Sequence, residues 1–344
     1  MEAVLARHLF AGSFSFLLGF YVVPLVMKIA RRYNVLDVPD GNIKCHKAPT
    51  PYLGGIAVYV AFIATLALAY PFENKILWLL LGSTCLLFVG LVDDLHVLKP
   101  GQKFFGQVFA VLCFLKGGVA LKTVFFSSFF NMACSAFWML SIINAFNLID
   151  VMDGLSSLVA LVAASSFLCI ALMFQLYSIS LLLLAFIGAF LAFFLYNKPP
   201  AKIYLGDAGA MFAGGFLSAI PLLFPWSAQS LDAYYTPVVI LAIPIIEICS
   251  LIVIRTRLGI PFYRGSPHHF AIYLQNKGWR KYHVLFFSLI MGLVFSTIAF
   301  LFLFKIIALE AIMLLLGATF LSWCLIVFYH PKYKTEQQPT RTLN

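Results

Sequence analysis

The chain of 344 residues is 62% hydrophobic and only 10% charged, with a mean hydropathy of +0.98. That composition excludes a soluble globular domain and belongs to a polypeptide that crosses a membrane many times. Its 23 Lys and Arg against 13 Asp and Glu give a net charge of +10, which in so apolar a chain reads as the topogenic charge of cytoplasmic loops rather than as a nucleic-acid surface.

Apolar runs of spanning length fall near 9–29, 53–71, 76–92, 104–121, 129–146, 155–176, 179–196, 208–224, 236–254, 284–304 and 307–329. They predict an all-α, polytopic integral membrane protein of about 10–11 transmembrane helices, forming a single domain over 1–344. The fourth run is flanked by lysines and interrupted by Gly117-Gly118, and the gaps at 177–178 and 305–306 leave room only for tight hairpins. The first run is long enough to remain as an anchor, so no cleaved signal is expected. The seven cysteines are scattered through apolar runs without metal-ligand spacing and read as small packing residues.

Orientation follows from the basic residues. With the N-terminus outside, the inner segments 28–52, 93–103, 147–154, 197–207, 255–283 and 330–344 hold 18 of the 23 Lys and Arg. The other five are Arg7, Lys75, Lys116, Lys122 and Lys305. The positive-inside rule therefore selects N-out, C-in. That choice puts every polar cluster of the chain on the cytoplasmic side.

The first cluster is the loop 37–55, where Lys44, His46 and Lys47 precede a bend rich in proline and glycine. Lysines on such a bend suit phosphate oxygens, whereas Lys28, Arg31 and Arg32 need be no more than topogenic. Asp93 and Asp94 end the third run; adjacent carboxylates repel and call for a cation, and Mg²⁺ favours one or two carboxylates completed by substrate phosphates. Asn144, Asn147, Asp150 and Asp153 recur every three residues, near enough to helical period to share a face or a tight helix end. Polar groups at the end of a spanning segment are costly unless they work together, so they read as a site. Asp207 opens the eighth run, where its bland alternative is a helix cap. Glu247 follows Pro244 inside the ninth run and needs a partner. The loop 255–283 carries six Lys and Arg with His268-His269, a cationic set fitted to a diphosphate. No second His/Cys pair accompanies the histidines, so zinc is not expected.

Five of these stretches carry a resemblance along nearly the whole chain: Lys44–Gly55 (KCHKAPTPYLGG), Gly90–Asp94 (GLVDD), Asn144–Leu155 (NAFNLIDVMDGL), Tyr204–Gly209 (YLGDAG) and Pro267–Phe270 (PHHF). In this order they resemble the polyprenyl-phosphate N-acetylhexosamine-1-phosphate transferase family, the glycosyltransferase 4 type that includes the MraY and WecA enzymes. The resemblance implies an Mg²⁺-dependent phosphoglycosyl transferase, with Mn²⁺ as an alternative ion. It moves a sugar 1-phosphate from a UDP-N-acetylhexosamine to polyprenyl phosphate, releasing UMP. By match to the family motifs, Asp93 is the base or phosphate-positioning acid with Asp94 beside it, Asp207 is the metal ligand assisted by Asn147, and His268 joins the catalytic set. Asn144, Asn147, Asp150 and Asp153 hold the nucleoside and sugar phosphate, Tyr204 stacks on uracil with Asn197 nearby, and Lys47 and His269 complete the substrate contacts. A bacterial inner-membrane location, a cytoplasmic active site and a homodimer go with the same resemblance.

The histidine motif has two histidines where muramoyl-type enzymes have three, with Pro267 in the first place, and Val151 stands where the family often has glycine. The 37–51 loop and the short Asp-Asp loop look more like the WecA type, whereas 244–279 leans to the muramoyl type. The balance favours a UDP-GlcNAc-like donor, with a muramoyl-pentapeptide donor as the alternative. A secondary transporter is the reading from another class; it would place its acids near the bilayer midplane and show internal repeats, and neither is seen here.

Overall fold

The computed structural model describes residues 2–37, 49–70, 73–123, 125–228, 232–261, 263 and 265–328. They form an all-α bundle, as a backbone in lipid must satisfy its own hydrogen bonds within each segment. The helices are α1 (Glu2–Arg32), α2 (Gly54–Ala69), α3 (Asn74–Leu95), α4 (Pro100–Lys116), α5 (Ser128–Ile149), α6 (Leu155–Met173), α7 (Tyr177–Asn197), α8 (Gly206–Ala219), α9 (Thr236–Ile240), α10 (Ala242–Arg257), α11 (Phe270–Asn276), α12 (Lys281–Leu303) and α13 (Leu309–Phe328). One two-stranded antiparallel ribbon, β1 (Leu36–Asp37) with β2 (Thr50–Pro51), pairs Leu36 with Pro51 and Asp37 with Thr50.

Each of the eleven apolar runs is helical, but fewer are full spans. Among the described residues eight helices are long and apolar enough to cross a membrane, counting α8 with the 3-10 turn that carries it on to Leu223, or nine if the bent pair at 232–257 is one span. The shortfall against 10–11 lies in α2 and α4, of 16 and 17 residues. At 1.5 Å per residue they reach about 24–26 Å, short of a hydrocarbon core of about 30 Å. The ninth run breaks at Leu241 with a 77° bend between its halves. Pro244 has no N–H to offer the Ile240 carbonyl four residues back, and so the helix is interrupted there.

Helix α8 is the centre of the bundle, packing on α2, α3 and α5. Its small residues let neighbours approach closely, the usual basis of association in a solvent as apolar as the core itself. A Cβ on Gly55 of α2 would lie 2.2 Å from the Gly209 nitrogen of α8, so that crossing is backbone against backbone. Deeper in, Phe62 of α2, Phe186 of α7 and Phe216 of α8 meet, with Phe186 stacked on Phe216 at 4.6 Å between ring centres and Phe62 edge-on to Phe216 at 5.3 Å. On the far side α1 crosses α7 through small residues, where the Ser15 hydroxyl donates to the Ala185 carbonyl at 2.6 Å.

Several helix ends gather at one end of this bundle. The N-terminus of α2 has no side-chain cap; instead the Gly54 and Gly55 N–H groups donate to the carbonyls of Tyr204 and Leu205 at 3.0 and 2.8 Å. The Tyr204 N–H donates to the Pro51 carbonyl at 2.7 Å. The segment 198–205 between α7 and α8 is thereby docked on the chain entering α2, and the polar residues sit around this junction.

Candidate active site

The site is built where α3 ends, α4 and α8 begin, and α5 ends. Asp94, in the last turn of α3, accepts the Asp207 N–H on Oδ1 at 2.8 Å and the Ala208 N–H on Oδ2 at 3.1 Å. A carboxylate on the free N–H groups of a helix start is favoured both by hydrogen bonding and by the helix dipole. This caps α8 from another helix and fixes Asp207 beside the end of α3. Gly206, at φ +74°, makes the turn into α8, and a Cβ there would meet Asp94 Oδ2 at 2.6 Å. Only glycine fits both the left-handed conformation and that contact.

Asp93 faces the other way. Its Oδ1 accepts the Leu98 N–H at 2.7 Å, closing the loop between α3 and α4, and its Oδ2 pairs with Lys103 Nζ at 2.8 Å. Lys103, on the first turn of α4, also donates to Asp207 Oδ2 and, at 2.9 Å, to Asn147 Oδ1 on α5. Three acceptors from three helices therefore surround one ammonium, matching its three protons. One turn further along, Gln107 of α4 and Asn144 of α5 exchange a reciprocal pair of amide bonds at 2.9 and 3.2 Å. Asn147 Nδ2 is buried and has no hydrogen-bond partner among the described residues.

Asp150 caps the end of α5, just past its helical residues. Loss of water pushes its carboxyl well above the usual carboxylate range, and the negative charges of Asp207, Asp94 and Asp153 add to the shift. Asp153 is buried and already held: Lys281, at the start of α12, pairs with Oδ1 at 2.9 Å, and the Ala201 N–H donates to Oδ2 at 3.1 Å. Asn197 is likewise engaged within the fold, accepting from the Ser157 hydroxyl and donating to the Ile203 carbonyl, each at 2.9 Å. Both residues brace the 198–205 segment, as does the Tyr282 hydroxyl, which donates to the Pro199 carbonyl. Tyr204 itself is half-exposed at the site; burial raises its hydroxyl above the ordinary phenol value while a bond with Thr50 opposes the shift.

The histidines form a second group. His269 Nδ1 lies 3.0 Å from Glu247 Oε1 of α10, and the same oxygen accepts the Phe270 N–H at 3.3 Å. This is the partner that a carboxylate inside an apolar run requires. His268 is buried next to it, and burial lowers its ring below the ordinary histidine value, with the charge of Arg255 and its neighbour His269 acting in the same direction. Arg255, buried at the end of α10, donates from Nε to the Ser266 hydroxyl at 2.9 Å. Lys47, with Lys44 and His46, lies outside the described residues.

Comparison with known proteins decides the family. Residues 76–224, which hold the aspartates, Lys103 and the α5 motif, match glycosyl transferase family 4. The phospho-N-acetylmuramoyl-pentapeptide-transferase of Streptococcus pneumoniae (strain 70585) is 30% identical over 85% of this chain and 98% of its own length. The chain belongs to the polyprenyl-phosphate N-acetylhexosamine-1-phosphate transferase family. A probable undecaprenyl-phosphate N-acetylglucosaminyl 1-phosphate transferase of Bacillus subtilis (strain 168) is 27% identical over 86% of this chain and 85% of that relative. The protein is thus a membrane-embedded phosphosugar transferase.

In this transferase the aspartates, Asn147 and Asp150 expected from sequence come together, whereas Asn144, Asp153 and Asn197 are engaged by their neighbours within the fold. Sequence reasoning missed Lys103, which enters it only as a flanking charge of the fourth run, and Gln107, which it does not single out. A signal was there: the two are spaced i, i+4 on an otherwise phenylalanine-rich helix, and so share one face. Lys281 was missed for the same reason, as one more basic residue of a long loop.

Proposed function

We propose that this transferase moves N-acetylglucosamine 1-phosphate from UDP-GlcNAc to polyprenyl phosphate, giving polyprenyl-diphospho-GlcNAc and UMP. The observation that carries the reading is the convergence of Asp93, Asp207 and Asn147 on Lys103 at one end of the bundle. Both substrates are phosphate anions, so the reaction needs charge neutralisation and alignment more than covalent help. An acceptor phosphate oxygen attacks the sugar-bearing phosphorus, and the bond to the UMP oxygen breaks with its electrons leaving on UMP.

The residues fit a hard divalent ion. Two carboxylates and an amide oxygen are the donor types that Mg²⁺ prefers, and Mn²⁺ accepts the same set. Among the described residues no three His, Cys, Asp or Glu side chains make a ready-made cage. Asp207 and Asn147 would hold the ion, and when bound it would supply charge neutralisation on the diphosphate. Asp93 keeps Oδ1 on the Leu98 N–H and offers Oδ2 to align the acceptor phosphate or take its proton. Asp94 holds Asp207 in place through the α8 N–H groups. The Asn147 Nδ2 donor and the basic loop before α12 would meet phosphate oxygens, and Tyr204, neutral at physiological pH, would stack on the uracil ring.

The same reading puts the site on the cytoplasmic face of a bacterial inner membrane with the N-terminus outside, supported by the 18 of 23 basic residues on that side when the short helices α2 and α4 are counted as crossings. The 30% identity to the pneumococcal muramoyl enzyme favours a second donor, a UDP-muramoyl pentapeptide. The deciding experiment gives purified protein undecaprenyl phosphate, Mg²⁺ and each UDP-sugar in turn, and follows UMP. Release with UDP-GlcNAc is expected. Release only with the muramoyl donor would replace the sugar, and no release with any UDP-N-acetylhexosamine would refute the reading.

A further inference from the structure

The cradle of Asp93, Asp207 and Asn147 is filled by the chain itself. The Lys103 ammonium has three protons and three acceptors, so its hydrogen-bonding capacity is complete and none remains for a phosphate. Two of these acceptors, Asp207 Oδ2 and Asn147 Oδ1, are the oxygens that would hold a divalent ion. An ion bound at about 2.0–2.1 Å to those oxygens leaves no room for an ammonium nitrogen at hydrogen-bond distance from all three. Occupation by one cation excludes the other.

Lys103 is the one member of this set on a long stem. It sits in the first turn of α4 on a flexible four-carbon stem, and its side chain keeps 17% of its surface open. Asp93 and Asp207 do not move so freely. Asp93 is fixed by the Leu98 N–H, and the Asp207 backbone is fixed by Asp94. Acceptors fixed through backbone N–H groups thus meet a cation on a flexible stem.

We propose that Lys103 is the resident counter-cation of the substrate-free site and exchanges with the divalent ion, the displaced ammonium then pairing with the substrate diphosphate. This rests on the metal-dependent phosphosugar transfer proposed above. Without substrate the aspartates are neutralised by the lysine and the ion binds weakly, because it must evict a charge that has nowhere favourable to go. With a diphosphate present the evicted ammonium gains phosphate partners. Ion and nucleotide sugar then reinforce each other, and by linkage each raises the other's affinity by one common factor.

The test is the binding of Mn²⁺ to detergent-purified, substrate-free protein, followed by electron paramagnetic resonance. Lys103→Gln removes the competing charge and keeps a polar side chain; it should bind Mn²⁺ at least about fivefold more tightly than the unaltered protein, the lower end of an ordinary coupling between ligands. Lys103→Arg keeps the charge and should not gain. A lysine with only a structural role would show the opposite, since its loss would loosen the site and weaken the ion. Equal or weaker Mn²⁺ binding in a folded Lys103→Gln protein overturns the exchange. A second measurement needs no variant at position 103. Saturating Mn²⁺ should accelerate acetylation of Lys103, read by mass spectrometry, in the unaltered protein and not in Asp207→Asn. Unchanged or slower acetylation in the unaltered protein also overturns it. UMP release by the unaltered enzyme reports separately on the transfer reaction, so the two readings fail independently.

Discussion

Gly90→Ala tests whether the site depends on the distance between α3 and α8. Gly90 lies one turn before Asp93 and Asp94, and a Cβ there would sit 2.4 Å from the Ala208 nitrogen and 2.5 Å from the Asp207 carbonyl carbon. Ordinary contact begins at 3.4 Å, and both neighbours are backbone, so no side chain can rotate out of the way. The two helices must part by about 1 Å, a displacement that is worth about 10²-fold in rate when it misplaces reacting groups. The Asp94 bonds to the Asp207 and Ala208 N–H groups, now 2.8 and 3.1 Å, would stretch with it. Overpacking of this kind costs about 1–3 kcal/mol. The expected result is therefore a kcat for UMP release lowered about 10²-fold in a protein that still folds, with a modest drop in unfolding temperature. Gly101→Ala is the control: nothing lies within 4 Å of its Cβ position, in the first turn of α4. Turnover of Gly90→Ala within twofold of the unaltered protein would refute the argument, as would a loss matched by Gly101→Ala.

Asp93→Asn and Asp207→Asn should each lower turnover by more than about 10²-fold, the usual effect of losing a charge-aligning group, with the detergent-solubilised protein still monodisperse; retained activity removes that role. Asp150→Asn should do something different. The folded protein raises the Asp150 carboxyl, so this group's contribution to stability is full below about pH 4 and is lost as pH climbs through the raised value. The amide lacks that loss, so the variant should unfold at a higher temperature than the unaltered protein at pH 7–8, with a flatter profile from pH 5 to 8, and turn over more slowly. A lower unfolding temperature at pH 8 would contradict the assignment. Glu247→Leu leaves His269 Nδ1 buried without its acceptor and should destabilise by about 1–3 kcal/mol in thermal unfolding. Glu247→Gln keeps an acceptor oxygen and should recover most of it; equal losses in both would mean that the hydrogen bond is not what matters.

What was legible in the sequence was the set of polar groups that a membrane makes expensive. Asp93, Asp94, Asn147, Asp150 and Asp207 stood out against apolar runs, and they do meet. Two things were hidden. A lysine at a helix edge is ambiguous, because topogenic charge supplies many of them; what marks Lys103 is Asp93 of α3 together with what α5 and α8 bring to it from 44 and 104 residues away. The count of full spans was also hidden. Hydropathy reads α2 as a span, but its start is set by the carbonyls of Tyr204 and Leu205, which a local window cannot see.

The period-three motif shows how one stretch organises its surroundings. Read as a continuous helix, Asn144, Asn147, Asp150 and Asp153 make a single face. The helix ends at Ile149, and so the four point to different neighbours. Asn144 and Asn147 meet Gln107 and Lys103, two rungs that fix the register of α4 against α5 and so deliver Lys103 to Asp93 and Asp207. Asp153, past the helix end, ties down α12 through Lys281 and the 198–205 segment through Ala201. That segment in turn carries Tyr204 and leads into Asp207. Asp150 alone has neither duty in the described structure, and loss of water with the neighbouring carboxylates disfavours its charged form. A group held in so unfavourable a state without a structural partner is the one whose purpose lies with a ligand, which is why its replacement is expected to separate stability from turnover.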